Sequence, residues 1–506
     1  MLERLKSTVR DTFVYSLSNI APKVVGVILL PLFTAKLILT DFGNWDLIDN
    51  AIQILTEVAI LGQASSIIFL NNSNEYKDQK ESSLFTLSSF VFIVCAALVL
   101  ITELIISNYS SFFEHSQFKS VYIRLISYIV LLRVMNNLFL AKVRADEEAV
   151  YYSVISVFKT LLMTVLTIYF VAWINSGIEG ILFAALIAEI FTIIVLVVKV
   201  IPKMKLDFDN KIFKTALKFG FPLIFSSLGF MLLNQSDRFI IKFLLGSKSV
   251  AIYGLGYRVA GVLNMFIILP FSLGLLPLAY KYYGMPDDKR FFQKLMTYST
   301  FFFVWGFILL SLFSKEIVRI FAPQSEYHSA YLIIPIILLS YALSGMRLTA
   351  SLGMFLTKNT KHVAWITISS AIFNIILNFI FIPKYGILAA AINTLISFTI
   401  FYFVTQMFSN KYFKIPYEHS KLFIMLLTGA VLSSFIYFLP SMNSILAFLI
   451  KIMITLSFPF ILFFFHFYEK RELDILLSPA KLIDFIKGII RGSDKAPEDS
   501  ENIIQR

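Results

Sequence analysis

The residues of this chain that could do chemistry are ionisable side chains set in long apolar runs. Nine are basic: Lys23, Arg124, Arg133, Lys159, Arg238, Lys242, Arg258, Arg347 and Lys451. Three are acidic: Glu57, Glu189 and Asp237. A charge at the middle of a bilayer costs about 2.5–3.5 kcal/mol on insertion scales, so each needs a partner or a task. A guanidinium presents a planar fork that grips a phosphate through paired, charge-assisted hydrogen bonds. An excess of embedded cations therefore suits an anionic cargo and disfavours a cationic one, which would call for carboxylates.

No other constellation competes with these charges. Gly246-Ser-Lys-Ser249 lacks the upstream glycine of a nucleotide-phosphate loop. His115, His328, His362, His419 and His466 are scattered without metal-ligand spacing. The lone Cys95 can form no intrachain disulfide. The reading is of a non-enzymatic protein with no cofactor and no metal.

The elements that carry the charges follow from composition. Of 506 residues, 58% are hydrophobic and 53 are Phe. Only 15% are charged, against about 25% in an average soluble domain, and the mean hydropathy is +0.78. At about 20 residues per span, the chain can supply about fourteen membrane helices. The apolar windows place them near 12–38, 46–70, 83–106, 120–141, 151–174, 178–199, 216–245, 249–280, 292–313, 329–356, 361–382, 386–408, 421–439 and 444–467. Open sheets cannot cross a bilayer with their edges unsatisfied, and these runs lack the alternation of a barrel, so the spans are helical.

Lys and Arg favour one side of this arrangement by roughly five to one, the side of both termini, which predicts cytoplasmic ends. The basic start Met1–Arg10 has no small-residue cleavage site and reads as a cytoplasmic end entering the first span. The net charge of +12 is then loop bias rather than a nucleic-acid signature.

A repeat organises the spans. Gly180-Ile-Leu-Phe-Ala-Ala-Leu-Ile187 and Gly386-Ile-Leu-Ala-Ala-Ala-Ile-Asn393 both open a span after a short turn, about 206 residues apart. Thr40-Asp-Phe-Gly-Asn-Trp45 and Ser249-Val-Ala-Ile-Tyr-Gly254 recur at nearly the same offset. A six-span repeat keeps its orientation, giving two parallel lobes with a site between them near mid-bilayer. The expected layout is a six-helix lobe over 1–205, a second over 206–410, two added spans over 411–470, and a cytoplasmic tail over 471–506. In that tail, Pro479–Arg491 has the pattern of an interfacial amphipathic helix.

Depth along the spans sorts the charges. Lys23 and Glu57 lie at matching depth, as do Lys159 and Glu189, about 14–16 Å in by helical rise. Each couple reads either as a neutralising pair or as a cavity group. Arg258 and Arg347 have no evident acidic partner on adjacent spans and are candidates, with Lys23, Lys159 and Arg133, to bind an anion in a cavity. Asp237 and Arg238, with Glu57 and Glu189, are candidates for a gate or a coupling-cation site. Arg124, Lys242 and Lys451 lie near the outer interface, where long side chains snorkel. Asn234, Gln235, Asn264, Asn374 and Asn378 offer amides either to sugars or to neighbouring helices.

The order of several motifs carries a resemblance. Phe219-Gly-Phe-Pro222, Ser226-Ser227, Asn234-Gln-Ser-Asp-Arg238, Leu245-Gly246 and Val250-Ala-x-Tyr253 resemble the start of the second half of bacterial polysaccharide (O-antigen) flippases. Asn374-x-x-x-Asn378, Ile382-Pro-Lys-Tyr-Gly386 and Ala389-Ala-Ala-x-x-Thr394 resemble that family's eleventh-to-twelfth-span junction, and Leu30-Pro-Leu32 with Phe42-Gly-Asn-Trp45 its first hairpin. The likeness runs from about residue 10 to 410. It departs at Leu61-Gly-Gln-Ala-Ser-Ser-Ile-Ile-Phe69, which is neutral where many relatives carry an Arg.

The resemblance, to a family of the multidrug/oligosaccharide-lipid/polysaccharide exporter superfamily, implies an all-α polytopic fold of two lobes around a central cavity. It implies translocation of a polyprenyl-diphosphate-linked oligosaccharide to the outer leaflet of a bacterial inner membrane by alternating access. The implied partners are that lipid-linked glycan, the membrane lipids, a coupling cation (H+ or Na+), and polysaccharide polymerase and export machinery, with no nucleic acid. A peptidoglycan lipid-precursor flippase and then a cation-coupled drug exporter are the alternatives. A membrane glycan polymerase or ligase is disfavoured, because the loops are too short for such a site.

Overall fold

The structure is a computed structural model that describes residues 20–73, 75–76, 80–109, 119–438, 445–465 and 467–469. The tail, with its predicted amphipathic helix at 479–491, lies outside the described residues. The long apolar runs satisfy their own backbone groups as helices, as a lipid environment requires. Residues 20–28 lead into α1 (Leu30–Lys36), followed by α2 (Leu39–Ala59), α3 (Gln63–Asn72), α4 (Lys80–Asn108), α5 (Ser120–Ala145), α6 (Ala149–Ile168) and α7 (Gly177–Val200). Then come α8 (Asn210–Leu245), α9 (Ser247–Leu263), α10 (Leu269–Tyr282), α11 (Asp288–Leu312), α12 (Ser314–Phe321), α13 (Ile334–Ala350) and α14 (Leu352–Leu356). The last are α15 (Lys361–Tyr412), α16 (His419–Phe438) and α17 (Ile445–Phe464).

Eleven helical runs among the described residues are long and apolar enough to cross a membrane, or twelve with the bent pair α2–α3. The apolar windows of the sequence predict about fourteen, a higher count, and the two differ at two places. The first span is described only from residue 20 and its helix breaks at Leu29. The second is α15, a 52-residue run that would be roughly 78 Å long if straight. At Gly386 its backbone turns to φ 65°, ψ −151°, a conformation open to glycine. The two arms fold back on each other, with Asn374 Nδ2 donating to Ser397 Oγ at 3.2 Å and Asn393 Nδ2 to Asn378 Oδ1 at 3.0 Å. Asn374 and Asn378 are thus interhelical bonds inside a hairpin, not sugar ligands. In the first half the corresponding left-handed turn is at Gly177, three residues before Gly180.

Helices α3 to α7 pack chiefly on one another, as do α8 to α15, and α16 and α17 lean on α11, while α2 packs most on α9 and also touches α5 and α8. Between the two groups runs a seam that closes by backbone contact at both ends. At one end a Cβ on Gly43 of α2 would stand 2.0 Å from the Ser247 carbonyl oxygen of α9. At the other, Leu61 and Gly62 adopt φ 49° and 69°, bending α3 by 45° from α2. A Cβ on Gly62 would stand 2.2 Å from the Gly220 carbonyl oxygen. Ser66 Oγ donates to the Ala216 carbonyl at 2.9 Å, and the Phe69 and Phe219 rings stack at 4.3 Å.

The perimeter is inverted relative to a soluble protein. Trp173, Phe243, Phe438 and Phe464 are each at least 77% exposed, a surface that only a bilayer covers without aggregation. Lys451 departs from its expected place at the interface: it is 1% exposed, and its Nζ donates to Glu316 Oε1 at 2.6 Å. The acid on the amphipathic α12 lets the charge remain inside.

Candidate functional site

A cavity of about 760 Å³ lies on the seam between its two closed ends. Among the described residues, five cations line it, Lys23, Arg133, Lys159, Arg238 and Arg258, with two carboxylates, Asp46 and Asp49. Amides from both groups face it too, among them Asn50, Gln53, Asn234, Gln235 and Asn264. Asn264 opens a five-residue π-helical segment, Asn264–Ile268, a widened turn often found where a helix serves a site.

Each wall follows from its helix. On α2, Asp46, Asp49, Asn50 and Gln53 recur at the spacing of one helical face, so the polar stripe points together into the cavity. Opposite, Gln235 Nε2 on α8 reaches Gln53 Oε1 at 3.4 Å. Arg258 on α9 donates to Asp46 Oδ1 at 2.8 Å and to Asp49 Oδ2 at 3.1 Å. That overturns the expectation that Arg258 lacks an acidic partner. Asp46 stands seven residues inside α2, and Gly254 makes room for it: a Cβ there would come within 2.7 Å of Asp46 Oδ2. Asp46 and Asp49 are not singled out by sequence; the regular polar spacing of the stripe is the signal that could have found them, but the apolar window opens only at residue 46 and leaves them at its edge.

The second wall is a neutralised triad. Glu189 on α7 is 1% exposed and accepts from Lys159 Nζ at 2.6 Å and Arg133 Nε at 2.8 Å. Asn136 Nδ2 adds a third bond to the carboxylate at 2.8 Å. Lys159 and Arg133 keep about a fifth of their side chains exposed on the cavity side, 20% and 21%. The Lys159–Glu189 pair read from matching depth is therefore formed, and Arg133 shares it.

Lys23 and Glu57 do not form the other pair. Lys23 lines the cavity and, among the described residues, has no hydrogen-bond or ion-pair partner, whereas Glu57 is outside the lining. Depth follows from counting residues, but the direction a side chain faces is set by how the helix packs. Arg347 is also outside the lining. It is 8% exposed, with its guanidinium carbon 4.5 Å from the Phe401 ring and 5.9 Å from that of Phe230, and its Nε has no partner. Asp237 is fully buried behind the cavity, bonded by the Tyr253 hydroxyl and by the Arg238 backbone N–H at 2.9 Å.

The balance is thus less lopsided than nine embedded cations against three acids. Among the described residues, Asp46, Asp49, Glu189 and Asp237 together offset four of the five lining cations, and Lys23 is left without a carboxylate partner. Among the described residues, no three or more His, Cys, Asp and Glu side chains come together as a metal-ligand group.

Comparison with known proteins gives a consistent picture. The family model for polysaccharide biosynthesis proteins matches residues 8–282, and the MatE model matches 222–380. A protein of Shigella flexneri called "Putative O-antigen transporter" is 22% identical over 64% of this chain and 79% of its own length. An uncharacterized membrane protein of Methanocaldococcus jannaschii is 25% identical over 46% of this chain, a match spanning 47% of that protein. Among solved structures, a lipid II flippase MurJ in an inward closed conformation superposes with a TM-score of 0.73. It covers 89% of this chain and 99% of its own, at 17% identity. An inward-facing MATE-family multidrug transporter of the MOP superfamily gives 0.60, covering 78% of this chain and 94% of its own at 16% identity. The shared fold is the two-lobed helical arrangement of that superfamily, in a multi-span integral membrane protein.

Proposed function

The chain belongs to the polysaccharide biosynthesis protein family, and from that premise we propose that it is a flippase for a polyprenyl-diphosphate-linked oligosaccharide. The cargo class is an O-antigen, capsule or exopolysaccharide repeat unit, carried from the cytoplasmic to the outer leaflet by alternating access of the two lobes. The observation that supports this most is the cation-lined cavity on the seam. Lys23, free of any acid among the described residues, meets the diphosphate first, and the exposed faces of Arg258, Arg133 and Lys159 complete the contact. Each charge-assisted bond contributes about 1.5–3 kcal/mol, so two or three hold the head without trapping it. The isoprenoid tail stays in the bilayer.

With both termini cytoplasmic in a bacterial inner membrane, moving the anion outward gains about 2.3 kcal/mol per charge per 100 mV. Return of the empty carrier then calls for a coupled cation, H+ or Na+, and Asp237 beside Tyr253 is our candidate for its site. Polymerase and export machinery are the proposed partners that consume the delivered unit. A peptidoglycan lipid precursor is the second reading, favoured by the fold shared with a lipid II flippase.

A strain lacking the protein separates the two. One lipid-linked repeat unit should accumulate on the cytoplasmic face while peptidoglycan precursor stays at its normal level. Accumulation of the precursor instead supports the second reading, and no change in either contradicts both.

A further inference from the structure

Asp46 sits where three helices meet and holds two guanidinium groups of different standing. Its Oδ2 accepts from Arg238 Nε at 3.0 Å. Arg238 is 6% exposed at the side chain, donates to the Asn234 carbonyl at 2.8 Å, and lies 4.2 Å from the Tyr257 ring. It is a fixed partner. The other, Arg258, is 21% exposed, lines the cavity, and divides its Nη2 between Asp46 and Asp49. Asp46 can therefore lose Arg258 and still keep one guanidinium, that of Arg238, which it shares with Asp237, while Arg258 cannot leave without another anion to take.

These bonds join α2 to α8 and α9, so they cross the seam. They lie at the end where Gly43 brings α2 into backbone contact with α9 and Gly254 admits the Asp46 carboxylate.

We infer that Asp46 and Asp49 are resident substitutes for the cargo's two phosphates. They hold Arg258, and with it the Gly43 end of the seam, until a diphosphate in the cavity takes the guanidinium from them. This rests on the reading of the protein as a carrier of diphosphate-linked lipids and extends it to how the cargo opens the gate. Carboxylates three residues apart on a helix present two anionic centres on one face, as a diphosphate does. The guanidinium fork accepts either. A monophosphate offers one centre and competes less well. The exchange replaces one anionic partner of Arg258 with another, and the empty carrier stays shut, because only a ligand that binds the released state better shifts the balance.

Ser247 Oγ donates to Asn44 Oδ1 across this end at 2.6 Å, so the two positions report closure. Full-length protein carrying Cys95→Ser, Asn44→Cys and Ser247→Cys in nanodiscs is oxidised mildly, and the disulfide yield is read. Farnesyl diphosphate is expected to lower the yield several-fold and farnesyl monophosphate to lower it little. Asp46→Asn should give the low yield without ligand, and Asp46→Glu should restore it. Arg258→Lys, which keeps the charge but not the fork, should respond to the two ligands alike.

A yield unchanged by Asp46→Asn, or a diphosphate response that persists in Arg258→Ala, overturns the inference. Lipid-linked repeat units that accumulate in the deletion strain without any farnesyl diphosphate response sink the latch alone. A normal response without accumulation sinks the flippase reading and leaves the latch.

Discussion

A lysine with no acid in reach is expensive to keep in a membrane, and Lys23 has none among the described residues while facing the cavity. Arg347 makes the contrast, buried against Phe401 and away from the lining. Lys23→Ala should therefore abolish most transport with normal insertion. Arg347→Met should leave the fold as stable or more so, because a well-packed apolar side chain replaces an unpaired buried charge. Transport assays beside thermal melts of the purified variants check both; wild-type transport in Lys23→Ala would contradict the assignment. At this scale the sequence was read half correctly. Matching depth found Lys159 and Glu189, now 2.6 Å apart, because they stand on neighbouring helices. The same argument failed for Lys23 and Glu57, since depth carries no information on the direction a side chain faces. Asp46 is not legible in the sequence because the apolar window opens only at residue 46, where a charge is cheap, whereas the helix itself starts at Leu39 and α9, through Gly254 and Arg258, encloses the carboxylate.

Helix ends and turns were more legible, because the residues that set them act locally. The Pro-Lys-Tyr-Gly386 turn marks the hairpin in α15, and φ 65° at Gly386 explains why glycine stands there. Gly386→Ala should destabilise the protein by about 1–3 kcal/mol, seen as a lower melting temperature in detergent. A melt identical to wild type would mean that the turn relaxes freely.

The two added helices are tied down by Glu418, which precedes α16. Its carboxylate takes Thr297 Oγ1 at 2.7 Å, Lys421 at 2.9 Å and Lys294 at 3.2 Å, and Lys294 also reaches Glu469 at 2.5 Å. Burial acts to raise the Glu418 pKa, but the bonds from Lys421, Thr297 and Lys294 outweigh it and hold it below its usual 4.5. A carboxyl depressed in the folded state stabilises at pH above its unfolded value, and that stability is lost as pH falls through the folded one. Glu418→Gln should therefore lower stability near neutral pH and flatten the loss that wild type suffers below about pH 4.5. Parallel pH–stability curves for the two proteins would contradict this. Lys421 stands three residues from Glu418, a spacing legible in the sequence, but Lys294, Thr297 and Glu469 could not be paired with it because they lie far away along the chain.

At the scale of the molecule, composition alone indicated a helical membrane protein, and repeated turn motifs indicated two halves. The seam, its closure at Gly43 and Gly62, and the position of the cavity between them come from packing between distant spans, which no local pattern encodes. The proposed transport of a diphosphate-linked glycan across the bilayer through this cavity is tested by purified protein in proteoliposomes with a polyprenyl-diphosphate-linked oligosaccharide, its sugars probed by a membrane-impermeant glycosidase. The inner-leaflet share should become cleavable with wild-type protein and stay protected with Lys23→Ala. Protection of that share with wild-type protein, under an imposed potential and cation gradients of either kind, would contradict it.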